Sequence, residues 1–325
     1  MKLRYGEVTP GSNLKHMKLL LFPALLGLLT LPASAGTVSF GTFSIDFVDV
    51  GNPGNADDTH GAGYGGVPYN YEIGVHEVSE DMITKASTAG GLGLTQDSRG
   101  ANKPSTSISW NEAARFVNWL NTSNGFQAAY QFTTQPGDGG YNPNENLTVW
   151  ISGDAWQLGG ENLFRHKDAH YFLPSEDEWY KAAYYDGNTS TYFDYANGKD
   201  TAPTAVASGT GADTAVYDQS FATGPADIMN AGSLSPYGTM AQNGNVEEWA
   251  ESGFTAPNDS AAESRVLLGG FWIGTSSILQ SSFRGDGSPA NEGDVIGFRV
   301  AAVPESSTLW MMLAGAISLM IRRKR

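Results

Sequence analysis

Tyr171-Phe172-Leu173-Pro174-Ser175-Glu176-Asp177-Glu178-Trp179 packs a strand, a break and a helix start into one short run. Residues 171–173 have the apolar and aromatic character of a short strand, and Pro174 interrupts the ladder it could join. Ser175 can then accept from the Glu178 amide while the Glu178 side chain reaches back to the Ser175 amide, the reciprocal pair of a capping box. Trp179, Ala182 and Ala183 follow as an apolar helix face. The device recurs at Ser109-Trp110-Asn111-Glu112, where Trp110, Ala113, Ala114, Val117 and Leu120 share a face and Asn124-Gly125 ends the helix. A third helix is expected after Ser79, carrying Met82 and Ile83. Both helix-opening tryptophans read as core anchors.

Working outward, strands are expected at 38–50, 69–78, 266–268 and 296–300. The 40 Gly and 15 Pro are scattered between them, which predicts much irregular backbone. The segment 187–235, rich in Gly, Ala, Thr and Asp, reads as one long loop, and a loop of that length is usually functional or pinned. No internal repeat is visible, so a solenoid or propeller is not expected. The residues alone therefore predict only a mixed, loop-rich chain.

Composition narrows the chemistry. The 325 residues carry a formal charge of −15 and no basic cluster within the body, which argues against a nucleic-acid surface. There is no cysteine, so disulfides, thiolate metal centres and thiol nucleophiles are excluded together. Lys15 and Lys18, the apolar run 19–31 and Ala33-Ser34-Ala35 have the layout of a secretory signal over 1–35, with Met17 as an alternative start. At the other end, 308–321 is an apolar run of 14 residues closed by Arg322-Arg323-Lys324-Arg325. It is shorter than the about 20 residues of a full span, and is expected to be a short transmembrane segment with its basic end in the cytoplasm. Together with Val303-Pro304-Glu305-Ser306 it resembles a PEP-CTERM sorting tail over 304–325, although Ser306 stands where a second proline is usual. That resemblance implies recognition by an exosortase, passage through the secretion machinery, and display on the cell surface or extracellular matrix of a Gram-negative bacterium. Membrane contact is then expected through the tail alone.

Six blocks, in order, carry a second resemblance: Tyr71-Glu72-Ile73-Gly74-Val75-His76-Glu77-Val78, Ile108-Ser109-Trp110-Asn111-Glu112-Ala113, residues 172–179, Asn243-Gly244-Asn245-Val246-Glu247-Glu248-Trp249, Arg265-Val266-Leu267-Leu268-Gly269-Gly270-Phe271-Trp272, and Gly297-Phe298-Arg299-Val300-Ala301. Together they resemble the formylglycine-generating enzyme, or sulfatase-modifying factor, family, across a single domain at 36–303. The resemblance implies an α+β, loop-rich fold of the variant C-type-lectin type with bound calcium. Its founding activity oxidises a sulfatase cysteine with copper held by two thiolates. Those positions fall near Gly274 and Leu279, neither of which can hold Cu(I), so formylglycine generation is not expected.

The resemblance implies calcium at the backbone carbonyls of Gly244 and Val246 and the Glu248 carboxylate, a hard-oxygen set. One further family ligand is replaced by Ala241, and Asn243 or water is a substitute to consider. Asp213, Asp218 and Asp227 are open alternatives for a second site. His166 and His170, at i and i+4, have helical metal spacing but sit in a charged connector. In the groove, Trp272, Thr275, Ser276, Ser277, Gln280 and Arg284 offer hydrogen bonds suited to an extracellular peptide or glycan. The expected function is thus a non-catalytic, calcium-supported binding module. The alternative is an oxidoreductase of sulfur compounds using metal ligands other than cysteine.

Overall fold

The computed structural model describes residues 36–59 and 63–304. The expected signal segment and sorting tail lie outside the described residues, apart from Pro304. The expectation of a transmembrane segment is corrected: no helix among the described residues is long and apolar enough to cross a membrane. The run 308–321 on which it rested is itself outside them.

Both capping boxes form. Helix α1 spans Glu80–Gly90, with the Ser79 side chain accepting from the Met82 amide, and ends at Gly91 with φ +63°. Helix α2 spans Trp110–Ser123, where the Ser109 amide donates to Glu112 Oε2 at 3.0 Å and the Glu112 amide to Ser109 Oγ at 3.1 Å. Helix α3 spans Glu176–Tyr184 and repeats the exchange between Ser175 and Glu178 at 2.6 and 3.2 Å. Each cap satisfies amide donors that the first helical turn leaves without partners.

The helices pack on two sheets. In the first, the strands run in the order Thr37–Ser39, Ser44–Val50, Tyr71–Gly74, Ala301–Ala302 and Tyr171–Phe172, every neighbouring pair antiparallel. In the second, Gly285–Gly287, Arg265–Leu268, Glu247–Gly253 and Ile296–Gly297 lie side by side, the last pair parallel. The expected strand 38–50 is in fact two strands turned on each other around Phe40–Phe43, with the Phe40 amide donating to the Phe43 carbonyl at 2.8 Å. Of the expected strand 296–300 only Ile296–Gly297 is strand, in the second sheet, and the chain enters the first sheet just beyond it as Ala301–Ala302. Phe298, Arg299 and Val300 are the buried crossing between them. The strand Glu247–Gly253 went unrecognised in the sequence because its adjacent Glu247 and Glu248 look like exposed charge.

Trp110, Trp179, Trp249 and Trp272 are fully buried. Trp110 Nε1 donates to the Ala250 carbonyl and Trp249 Nε1 to that of Ile108, so each ring stitches the α2 start to the second sheet. The segment 187–235 contains the short strands Thr191–Tyr192, Thr204–Ala205 and Thr214–Ala215. Backbone hydrogen bonds such as Val206 to Ala215, Gly209 to Asn230 and Gly232 to Gly209 pin it. The result is an α+β, loop-rich single domain, as the family resemblance implied.

Candidate functional site

The surface expected to carry the site runs from Phe271 to Arg284. Ser276–Leu279 forms a 3₁₀ turn that leaves the Thr275 and Ser277 hydroxyls exposed, 2.8 Å apart. Gln280 is partly exposed beside them. The remaining groups face elsewhere. Trp272 is corrected as a ligand contact: it is 0 % exposed, packed among Val216, Met240 and Val246, so no ligand can reach its ring. Arg284 is likewise committed. Its Nε and Nη2 donate to the two Glu176 oxygens at 2.6 and 2.8 Å, its Nη1 donates to the Phe254 carbonyl, and its guanidinium lies 4.2 Å from the Phe254 ring centroid.

Gly274 and Leu279, near which the resemblance places the family's thiolates, are both surrounded by hydrocarbon. A Cβ on Gly274 would overlap the Ile278 side chain, and Leu279 is fully buried with Tyr195 and Ala215. The Tyr184 hydroxyl donates to the Leu279 carbonyl at 3.3 Å, which fixes the floor of the turn.

The calcium set does not fit. Both Glu248 oxygens accept from Arg299, through Nη2 and Nε at 2.6 Å each, and Oε2 also accepts from Trp179 Nε1 at 2.7 Å. All of this is buried. A guanidinium thus already neutralises the carboxylate that Gly244 and Val246 were expected to complement. Arg299 further donates to the Gly74, Val75 and Met240 carbonyls, tying both sheets to the loop before the strand Glu247–Gly253. Asn243 is not a substitute ligand, since its Oδ1 accepts from the Ala196 amide. Of the acids considered for a second ion, Asp213 pairs with Lys199 at 2.6 Å and Asp227 with Lys103 at 3.0 Å. His166 ends the strand Asn162–His166 and His170 stacks on Phe126, so the two do not share a helix face. Among the described residues no group of three or more His, Cys, Asp or Glu side chains is placed to hold a metal ion.

Two unforeseen acidic environments flank this centre. Glu77 is buried, with its oxygens accepting from Asn245 Nδ2 at 2.6 Å and the Val246 amide at 3.3 Å. Burial and the nearby Glu248 charge push its carboxyl well above the ordinary range. Glu247, on the neighbouring position, is pushed up to about 7 by burial alone. Farther off, Arg165 bridges Glu178, at 2.8 and 2.9 Å, and Glu251, at 2.7 Å. Local reading of the sequence misses such buried arginines, because a charged residue looks exposed until its partner is brought to it. The one available signal was Arg299 inside the apolar run Gly297-Phe298-Arg299-Val300.

The comparisons bear on the fold. The profile of the sulfatase-modifying factor enzyme 1-like domain (FGE-sulfatase) matches residues 18–303. Among solved structures, the chain is similar to Treponema denticola variable protein 1, with 18 % identity over 83 % of this chain and 99 % of that one, at a TM-score of 0.56. It is also similar to CarF, with 18 % identity, 80 % and 99 % coverage and a TM-score of 0.54. PvdO from Pseudomonas aeruginosa gives 16 % identity, 84 % and 100 % coverage and a TM-score of 0.53. At these identities the likeness is one of fold. No curated protein matches the chain. The profile match over most of its length, on a fold with these two capped helices and two linked sheets, places the chain in the sulfatase-modifying factor enzyme 1-like family, as a member without cysteine.

Proposed function

We propose that this protein is an exported binding module which keeps the family's fold without its copper-thiolate oxidation. The observation that carries the reading is the filling of both thiolate positions, by Ile278 packed over Gly274 and by the buried Leu279. Hydrocarbon cannot hold Cu(I), and no cysteine exists elsewhere in the chain to replace it. What the surface turn does offer, at Thr275, Ser276, Ser277 and Gln280, is uncharged hydrogen bonding of the kind that orients a peptide or glycan. Calcium plays no part in this reading, because Arg299 supplies the positive charge at Glu248. Export rests on the sequence features at both ends, and the net charge of −15 favours a soluble displayed domain.

The test is to incubate the full chain with a cysteine-containing peptide, Cu(I) and oxygen, and to follow the peptide by mass spectrometry. No aldehyde should form, and any disulfide should match that made by copper and oxygen in a control without protein. Conversion of the cysteine to an aldehyde would overturn the proposal.

A further inference from the structure

On another face, α2 contributes Arg115, Asn118, Trp119 and Thr122 to an open groove of about 480 Å³, a volume ordinary for small-ligand sites. Their spacing of i, i+3, i+4 and i+7 places them on one stripe of the helix, turned away from the stripe of Ala113, Ala114, Val117 and Leu120 in the core. The opposite wall comes from Gln131, Phe132, Gln135 and Trp150, and the groove shares no lining residue with the turn 275–280.

Its aromatic rings are held in place. The half-buried Trp119 ring stacks on Phe43 with centroids 5.9 Å apart. Gly90 comes so near that a Cβ there would lie 2.9 Å from Trp119 Nε1. Trp150, also half-buried, donates from Nε1 to the Ala129 carbonyl at 2.8 Å and meets the His166 ring at 4.7 Å. Both indoles keep part of their surface in solvent at fixed positions, so a ligand would lose little free energy in ordering them.

The one charged side chain in the lining, Arg115, is engaged within the fold. No carboxylate lines the groove. Arg115 is buried, with its guanidinium donating to the carbonyls of Pro143, Thr134, Glu145 and Asn142 and lying 3.9 Å from the Phe132 ring centroid. Asn118 is similarly used, its amide exchanging hydrogen bonds with the Tyr130 backbone. The polar capacity left over is neutral and of both kinds. Trp119 Nε1 and the Gln131 carboxamide have no hydrogen-bond partner among the described residues. Gln135 spends Nε2 on the Phe132 carbonyl, which leaves its Oε1, and Thr122 donates to the Asn118 carbonyl, which leaves its oxygen lone pairs.

From this combination we infer that the groove binds a neutral saccharide, with the C–H faces of the sugar against Trp119 and Trp150 and its hydroxyls on Gln131, Gln135 and Thr122. Sugar hydroxyls both donate and accept, and so match a wall that does both. A proline-rich peptide offers mostly carbonyl acceptors, and would leave the Gln131, Gln135 and Thr122 oxygens dry and unpaired, at a cost. An anionic polymer would meet a chain of net charge −15 with no free cation in the groove.

The experiment is a titration of the full chain with neutral hexasaccharides of the β-glucan, α-glucan and mannan types, read by tryptophan emission and calorimetry, with oligoproline as a parallel arm. At least one saccharide should saturate, and Trp119→Ala should weaken it by about tenfold or more, as truncation of an aromatic anchor does. Gln131→Ala, on a carboxamide that holds nothing in the fold, should weaken it by a smaller factor with an unchanged circular dichroism spectrum. Thr201→Ala, at an exposed side chain outside both surfaces, should leave it unchanged. A flat response to all three saccharides, oligoproline binding in their place, or saccharide binding that survives both Gln131→Ala and Trp119→Ala would each overturn the inference. A flat titration leaves the oxidation result standing, and an aldehyde product would leave the titration standing, so the two readings fail separately.

Discussion

Arg299 and Glu248 form a bidentate ion pair at 2.6 Å with neither side chain exposed to solvent. Glu248 lies in the second sheet, while Arg299 stands where the chain crosses from that sheet to the first. The same guanidinium collects carbonyls from Gly74, Val75 and Met240, so one side chain closes the domain between its early and late segments.

Removing one partner of such a pair leaves a bare charge in a dry interior. Glu248→Gln or Arg299→Met alone should lower stability by about 3–5 kcal/mol in urea unfolding. The double replacement Glu248→Leu with Arg299→Met should recover much of the loss. Equal losses in the single and double variants would show that the pair is not the unit that matters.

Because a guanidinium and not an ion satisfies Glu248, chelation should have no effect there. The melting temperature of the full chain is expected to be the same in EGTA as in excess calcium. A fall on chelation, restored by added calcium, would contradict this placement of charge.

Glu247 gives a pH dependence of known sign. Its folded-state pKa of about 7 stands above the ordinary carboxylate value, so the folded chain holds this proton more tightly than the unfolded chain. Stability should therefore fall as pH rises from about 4.5 to 7 on this account, by up to about 3 kcal/mol, and level off above. Glu247→Gln should flatten that limb and make the protein more stable than the parent at pH 8. A parent and variant with parallel stability curves would refute it.

Gly274 is confined by Ile278. Gly274→Cys should destabilise the protein by about 1–3 kcal/mol through overpacking, and Gly274→Cys with Leu279→Cys should not acquire tight Cu(I) binding unless Ile278 is also reduced to Ala. Copper titration with a competing chelator measures this directly.

Local chemistry accounts for a good part of what was legible. The Ser109–Glu112 and Ser175–Glu178 caps, and the burial of Trp110 and Trp179, depend on neighbours within a turn or two of helix, and these formed as read. The site was legible in part. The exposed hydroxyls of Thr275 and Ser277 were anticipated, but Trp272, Arg284 and Glu248 were read as available when each is enclosed or paired.

What the sequence determined by itself was composition and short-range order: no thiol anywhere, two capping boxes, an acidic, mixed and loop-rich chain. Tertiary structure alone decided where the charges go. Whether Glu248 meets an ion or Arg299, and whether Trp119 faces the core or a groove, depends on segments far apart in the chain being brought together. A carboxylate in water and one against a guanidinium are the same letter, and it is desolvation and pairing on folding that distinguish them.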